Sequence, residues 1–168
     1  MTQTVIHPIP PLYNKHSRVL LLGSMPSGAS RAAGFFYAHP RNRFWRVIPA
    51  VFSETLPDDT TDSRKQFALA HQIALWDVLH SCEINGAADS SIRNPVPNDL
   101  NIILENADIQ AIFTTGRKAY ELYQRLCLPV TGRPAICLPS TSPANCAISF
   151  DRLVSAYRQI VSYLTVQP

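Results

Sequence analysis

Three groups of residues in this chain carry side chains suited to chemistry on a flat, polar ligand. The first lies within residues 18–47, RVLLLGSMPSGASRAAGFFYAHPRNRFWRV. There Phe35, Phe36 and Tyr37 offer ring faces for stacking, and the backbone N–H groups around Met25 and Ser27 suit carbonyl oxygens. Asn42 can place a water molecule. The second is Asp77, whose carboxylate can accept a ring N–H. The third is Ser140, Thr141, Ser142 and Asn145, short hydroxyls and an amide of the kind that meets phosphate or sugar. Aromatic rings stand here where connectors normally carry small polar residues, which points to a planar heterocycle lying against them.

These residues need elements to bring them together. The apolar run 19–22 reads as a buried strand, and Gly23, Pro26 and Gly28 break regular structure after it. From Phe44 an apolar face (Phe44, Val47, Ile48, Val51, Phe52) predicts a helix, kinked or restarted at Pro49. A helix follows at 63–71, a second strand at 73–79 and a long loop at 80–97. Asn98 reads as the N-cap of the next helix. A third strand at 111–114, a helix opened by Gly116, a fourth strand at 134–138, a loop at 139–145 and a helix from Ser149 complete the chain. Residues 1–17, with Pro8, Pro10 and Pro11, read as an extended lead-in pinned by Val5, Ile6, Ile9 and Leu12. Short apolar strands alternating with amphipathic helices predict one α/β domain over residues 1–168, its parallel sheet covered on both faces. All three special loops follow strand C-termini, where open α/β sheets bind ligands, so they are expected to meet at one edge.

The 168 residues and 46% apolar content suit a single hydrophobic core. No segment approaches the roughly 18 continuous apolar residues of a membrane span, and a cytoplasmic protein is expected. The four cysteines, Cys82, Cys127, Cys137 and Cys146, form no CxxC pair, so free thiols are expected and no metal or cofactor. Net charge is only +3, but Lys15, Arg18, Arg31, Arg41, Arg43 and Arg46 all precede Glu54, the first acidic residue. That imbalance fits either an uneven solvated surface or a phosphate-facing side.

GSMPSGAS, GFFYAHPRNRFW and LPSTSPAN together resemble the uracil-DNA glycosylase superfamily over nearly the full chain, and within it the hypoxanthine-DNA glycosylase branch, family six. The middle motif is also similar to mismatch-specific uracil/thymine glycosylases. The resemblance implies a three-layer α/β/α sandwich around a central four-stranded parallel sheet. It implies hydrolysis of a base–sugar bond in DNA; the expected partner is double-stranded DNA carrying a deaminated or mismatched base, and a monomer is expected. Met25 replaces the usual Asp or Asn of the first motif, and a thioether cannot activate water. The familiar histidine of the last loop is missing too. The branch credits catalysis to an asparagine matching Asn42 and puts the stacking ring at Tyr37, beside Phe36. Asp77 falls where related enzymes read the base edge with an asparagine. Ser24, Arg41 and Arg43 would meet DNA. So would the last loop (Ser140, Thr141, Ser142, Pro143, Ala144, Asn145), which would push into the duplex and grip its phosphates.

Each assignment has a structural alternative. Asn42 can cap the helix beginning near Arg43. Asp77 can be a structural carboxylate tied to the backbone of the 80–97 loop, the three arginines can be solvated, and His39 suits loop bracing better than acid catalysis. As functions, a uracil or mismatch-uracil glycosylase and a non-catalytic damaged-DNA-binding module compete with a hypoxanthine glycosylase. A nucleotide-binding protein is weakened by the absence of GxGxxG or GxxxxGK[ST] after any strand.

Overall fold

The computed structural model describes residues 2–86 and 89–165. Its main sheet contains β2 (Val19–Gly23), β3 (Ile73–Asp77), β6 (Ala111–Thr115) and β7 (Ala135–Leu138) in the order β3-β2-β6-β7. Every pairing is parallel, with Val19 opposite both Ile73 and Ala111, and Ile112 opposite Ala135. All residues of β2, inside the sheet, and of β3, at its edge, are buried, so both faces are covered there. This explains why these strands read as unbroken apolar runs rather than alternating ones.

The helices are α1 (Gly28–Ala33), α2 (Phe44–Val51), α3 (Thr61–Ala70), α4 (Asn101–Leu104), α5 (Arg117–Leu122), α6 (Leu128–Thr131) and α7 (Phe150–Tyr157). A π-helical stretch, Tyr123–Cys127, joins α5 to α6. The expected restart at Pro49 does not occur: α2 runs through it and stops two residues later. Helix α2 packs against α7, the helix expected from Ser149, and Ser149 is its N-cap, accepting from Arg152 N–H. Among the described residues no helix is long and apolar enough to cross a membrane.

A second sheet corrects two expectations. The lead-in is not merely extended, because β1 (Thr2–Ile6) pairs antiparallel with β4 (Leu79–Asn85) from Thr2 opposite Asn85 to Ile6 opposite Ser81. The 80–97 stretch is not a loop either: β4 pairs with β5 (Arg93–Pro97), giving the order β1-β4-β5. In β5, Pro95 and Pro97 mask the strand, and a proline-bearing strand is tolerated at the sheet edge that it occupies.

The expected second strand forms as β3 but stops at Asp77 rather than at 79, because the chain crosses there to the second sheet. It leaves the parallel sheet after Asp77, with Val78 N–H donating to Gly23 O (2.8 Å) and Leu79 N–H to Ser24 O (3.0 Å), then enters β4. Asn98 caps no helix. Its buried Nδ2 donates to Asp77 O (2.9 Å) and Leu79 O (3.0 Å), clasping this crossing, while Asp99 Oδ1 accepts Asn101 N–H near the start of α4.

Candidate active site

The parallel strands end at Gly23, Asp77, Thr115 and Leu138 on one edge of the sheet, and the loops leaving them surround a cavity of about 160 Å³. The first loop contributes Gly23–Gly28 to its wall. Ser27 caps α1 by accepting Ser30 N–H (3.1 Å), while Met25 is buried with its thioether in the core. The N–H groups of Met25 and Ser27 make no hydrogen bond among the described residues, so they are available to a carbonyl oxygen. Arg31, which also borders the cavity, turns back to donate to Pro26 O (2.8 Å) and stiffens the loop.

Tyr37 takes a left-handed conformation (φ 53°), an uncommon backbone for an aromatic residue. Its ring stacks on Phe44 at 3.9 Å with the planes 10° apart, and its hydroxyl lies 2.8 Å from Thr115 Oγ1. One face is therefore covered, and only the opposite face can meet a base. Burial, then the Asp77 carboxylate, holds the phenol far above its ordinary pKa, so it stays protonated at any working pH. Phe36 borders the cavity but is itself buried and packs edge-on against Phe35. Its expected part in base binding reduces to a floor rather than a free stacking face.

Asn42 borders the same cavity. Its Oδ1 accepts two hydrogen bonds, from Phe44 N–H (2.9 Å) at the start of α2 and from Thr141 Oγ1 (2.8 Å) across the third loop. A backbone N–H can only donate, so this fixes which end of the amide is oxygen. The Nδ2 group makes no hydrogen bond among the described residues. Asn42 is thus both a helix-start acceptor and a pocket residue, the two roles its sequence context left open. His39 braces this turn through Nδ1, which accepts Arg41 N–H (3.1 Å).

Asp77 is 4% exposed. Its partner is not the 80–97 stretch but His7, whose Nε2 lies 2.8 Å from Asp77 Oδ2. Oδ1 makes no hydrogen bond among the described residues and sits beside Gly23, where an added Cβ would overlap it. Asp89, a second carboxylate on the cavity rim, accepts from Ser24 Oγ (3.2 Å). Desolvation raises its pKa most, Ser24 and Lys118 oppose that rise, and Asp77 adds to it.

The third loop is held from within. Asn145 Nδ2 donates to Ser140 O (2.9 Å), Ser142 Oγ accepts Ala144 N–H, and Pro143 opens a single 3₁₀ turn. Arg43, expected at phosphate, directs its guanidinium inward to Ile148 O (2.8 Å) and Asn145 O (3.0 Å), and its backbone N–H donates to Thr141 O (3.1 Å). Arg41 is exposed, and its guanidinium makes no hydrogen bond or ion pair among the described residues. His7, Asp89 and Thr115 entered no sequence-based expectation. No group of three or more His, Cys, Asp or Glu side chains suited to a metal occurs among the described residues.

Residues 10–161 match the family model described as the uracil DNA glycosylase superfamily. The chain belongs to that superfamily. Its relatives include a hypoxanthine DNA glycosylase of Methanosarcina acetivorans, 33% identical over 85% of this chain and 90% of the relative. Another, from Methanosarcina barkeri, is 29% identical over 81% of this chain and 85% of its own length. These likenesses put the chain in the hypoxanthine-DNA glycosylase branch. A solution NMR structure from M. acetivorans, provisionally named a uracil DNA glycosylase, superposes with a TM-score of 0.77 at 29% identity. That match covers 95% of this chain and 99% of the other. For a superfamily member, the site has one unusual property. Among the described residues, the carboxylates bordering its cavity are Asp77 and Asp89, and both lie outside the first motif, where Met25 stands.

Proposed function

We propose that this protein is a monofunctional DNA glycosylase that hydrolyses the N-glycosidic bond of a deaminated base in duplex DNA, with hypoxanthine as its main substrate. The observation that carries the reading is Asp77 Oδ1, an unengaged acceptor in a cavity that also offers a Tyr37 ring face. Hypoxanthine presents N1–H to such an acceptor and O6 to backbone N–H groups such as those of Met25 and Ser27. Uracil also presents an N–H, at N3, but between the two carbonyls that carry most of the charge of its leaving anion. A carboxylate there opposes that charge. In a departing purine the charge develops on the imidazole ring, farther from N1.

The nucleotide is turned out of the stack, at a cost lowered by mispairing, and the free face of Tyr37 receives the base. The C1′–N9 bond breaks with its electron pair leaving on the base, and backbone N–H groups of the first loop favour the departing anion. Water then forms the C1′–O bond, and its proton passes to solvent or the departed base. Asn42 Oδ1 already accepts two hydrogen bonds, so Nδ2 is the group that meets the water, donating to its oxygen. Its contribution is placement rather than proton abstraction. Ser24, Arg41, Ser140, Ser142, Pro143, Ala144 and Asn145 form the surface offered to the strand, and Arg43 and Thr141 hold that surface in shape. The proposal extends to a three-layer α/β/α protein that works as a monomer in the cytoplasm without a cofactor.

The test is incubation of purified protein with duplexes carrying one hypoxanthine, uracil or xanthine, followed by alkali cleavage of abasic sites. Scission fastest at hypoxanthine is expected. Faster scission at uracil would move the assignment to a uracil glycosylase, and none at any lesion would leave a damaged-DNA-binding module.

A further inference from the structure

His7 belongs to none of the loops that build the cavity. It follows β1, is tied there by its N–H to His80 O (2.7 Å), and crosses 70 residues of sequence to reach Asp77. Its ring packs near Phe36 (6.4 Å) and edge-on to Trp76 (6.3 Å). The two polar side chains are only 1% and 6% exposed, so neither is free to choose another partner in water. The second ring nitrogen, Nδ1, lies 3.2 Å from Ile9 N and accepts that N–H. A ring nitrogen that accepts carries no proton, so the imidazole proton is on Nε2, directed at Asp77 Oδ2.

We propose that His7 is a positioning residue that determines specificity: its Nε2–H occupies one carboxylate oxygen and leaves Asp77 Oδ1 facing the base as an acceptor only. This rests on the glycosylase reading above. Deamination converts a ring nitrogen that accepts, N1 of adenine or N3 of cytosine, into one that donates, N1–H of hypoxanthine or N3–H of uracil. A reader held as a pure acceptor therefore responds to the deamination itself. An undeaminated adenine or cytosine would bring a lone pair against a carboxylate oxygen and leave both unpaired. An asparagine in this place could turn either its oxygen or its NH₂ to the base, and nothing intrinsic to it would distinguish the two. The carboxylate has no such ambiguity, and Nε2–H, which can only donate, fixes which of its oxygens meets the histidine and which is left to the cavity.

A pair of variants separates positioning from mere packing. In Asp77→Asn with His7 intact, the histidine holds the amide oxygen and turns the NH₂ to the base, donor against donor. Hypoxanthine excision in single turnover should fall roughly 100-fold. In the double variant His7→Glu/Asp77→Asn, the glutamate carboxylate can only accept, so it takes the amide NH₂ and turns the amide oxygen back to the cavity. Excision should then recover at least about tenfold over Asp77→Asn alone, which a structural role for His7 does not predict. A folded double variant as inactive as Asp77→Asn would overturn the proposal. If the double variant does not fold, as judged by its melting curve, ¹⁵N NMR of the imidazole in the unaltered protein decides. The Nε2–H tautomer supports the proposal and the Nδ1–H tautomer overturns it. Absence of excision by the unaltered protein on any lesion would instead strike the glycosylase reading, and the tautomer measurement would still report on His7.

Discussion

Thr141 Oγ1 donates to Asn42 Oδ1 at 2.8 Å, joining the helix that follows the first loop to the last loop of the site across 99 residues of sequence. The same oxygen accepts Phe44 N–H, and the Phe44 ring supports Tyr37. One side-chain oxygen therefore couples the start of α2, the stacking ring and the third loop. Asn42→Ala should abolish measurable excision and also lower stability by about 1 kcal/mol through the lost helix-start bond. Asn42→Asp retains that acceptor and so should melt close to the unaltered protein, yet it has no Nδ2–H to offer the water. Its single-turnover rate should remain low, and an active Asn42→Asp would mean that a carboxylate base serves instead.

Thr141→Val keeps the shape of a side chain that is 1% exposed and removes only its donor. The amide of Asn42 then loses one of its two anchors. Excision should slow roughly five- to tenfold, the equivalent of one ordinary hydrogen bond, while affinity for lesion-free duplex stays unchanged. Filter binding beside a single-turnover assay separates the two effects.

Arg41 and Arg43 lie two residues apart and should respond in opposite ways. Arg43→Ala removes donors to Ile148 O and Asn145 O and should destabilise the protein by about 1–3 kcal/mol. Because its charge is turned inward, the dependence of DNA affinity on salt should be nearly unaltered. Arg41→Ala should leave the melting temperature in place and reduce the slope of log K against log salt by about 1. Titrations at several salt concentrations, paired with thermal melts, distinguish a loop tie from a phosphate contact.

The gathering of the three special loops was legible because each follows a buried parallel strand, and such strands end on the same edge. Asn42 and Tyr37 were singled out on a different ground, the likeness of GFFYAHPRNRFW to a family motif, since from the residues alone Asn42 reads equally as a helix cap. His7 was not legible. It meets Asp77 across sheets, and nothing in HPIPP marks a residue whose partner lies so far along the chain. Strand β5 was hidden by Pro95 and Pro97, whose local preference for turns was overridden by an edge position. Asn98 carried a helix-cap signature that backbone carbonyls of the β3–β4 crossing claimed first. Arg43 reads as a surface cation in any sequence pattern, because only the packed third loop supplies the carbonyls that draw it inward.

Gly23 is required by the carboxylate beside it. A Cβ at this position would overlap Asp77 Oδ1, and that oxygen cannot simply swing away while His7 holds its twin. Gly23→Ala should therefore displace the carboxylate and cost about 1–3 kcal/mol in stability, as overpacking does at other buried sites. Hypoxanthine excision should fall by more than the stability loss alone explains. Assaying well below the melting temperature of the variant checks this, and full activity there would mean that Asp77 does not touch the base.

The cysteines divide by burial in a way that thiol reagents can read. Cys137 and Cys146 are exposed and should react with an aromatic disulfide at pH 8 in the native protein, whereas Cys82 and Cys127 should react only on unfolding. Desolvation pushes the Cys127 thiol up to about 11 from an ordinary 9.0. Between those values the unfolded chain has released its proton and the folded chain still holds it, so rising pH favours unfolding. The contribution of Cys127 to stability should be complete below pH 9 and disappear as pH climbs toward 11. Denaturant melts of the unaltered protein and of Cys127→Ala across that window should show a steeper decline for the former. Parallel declines would mean that the Cys127 thiol titrates as it does in the unfolded chain.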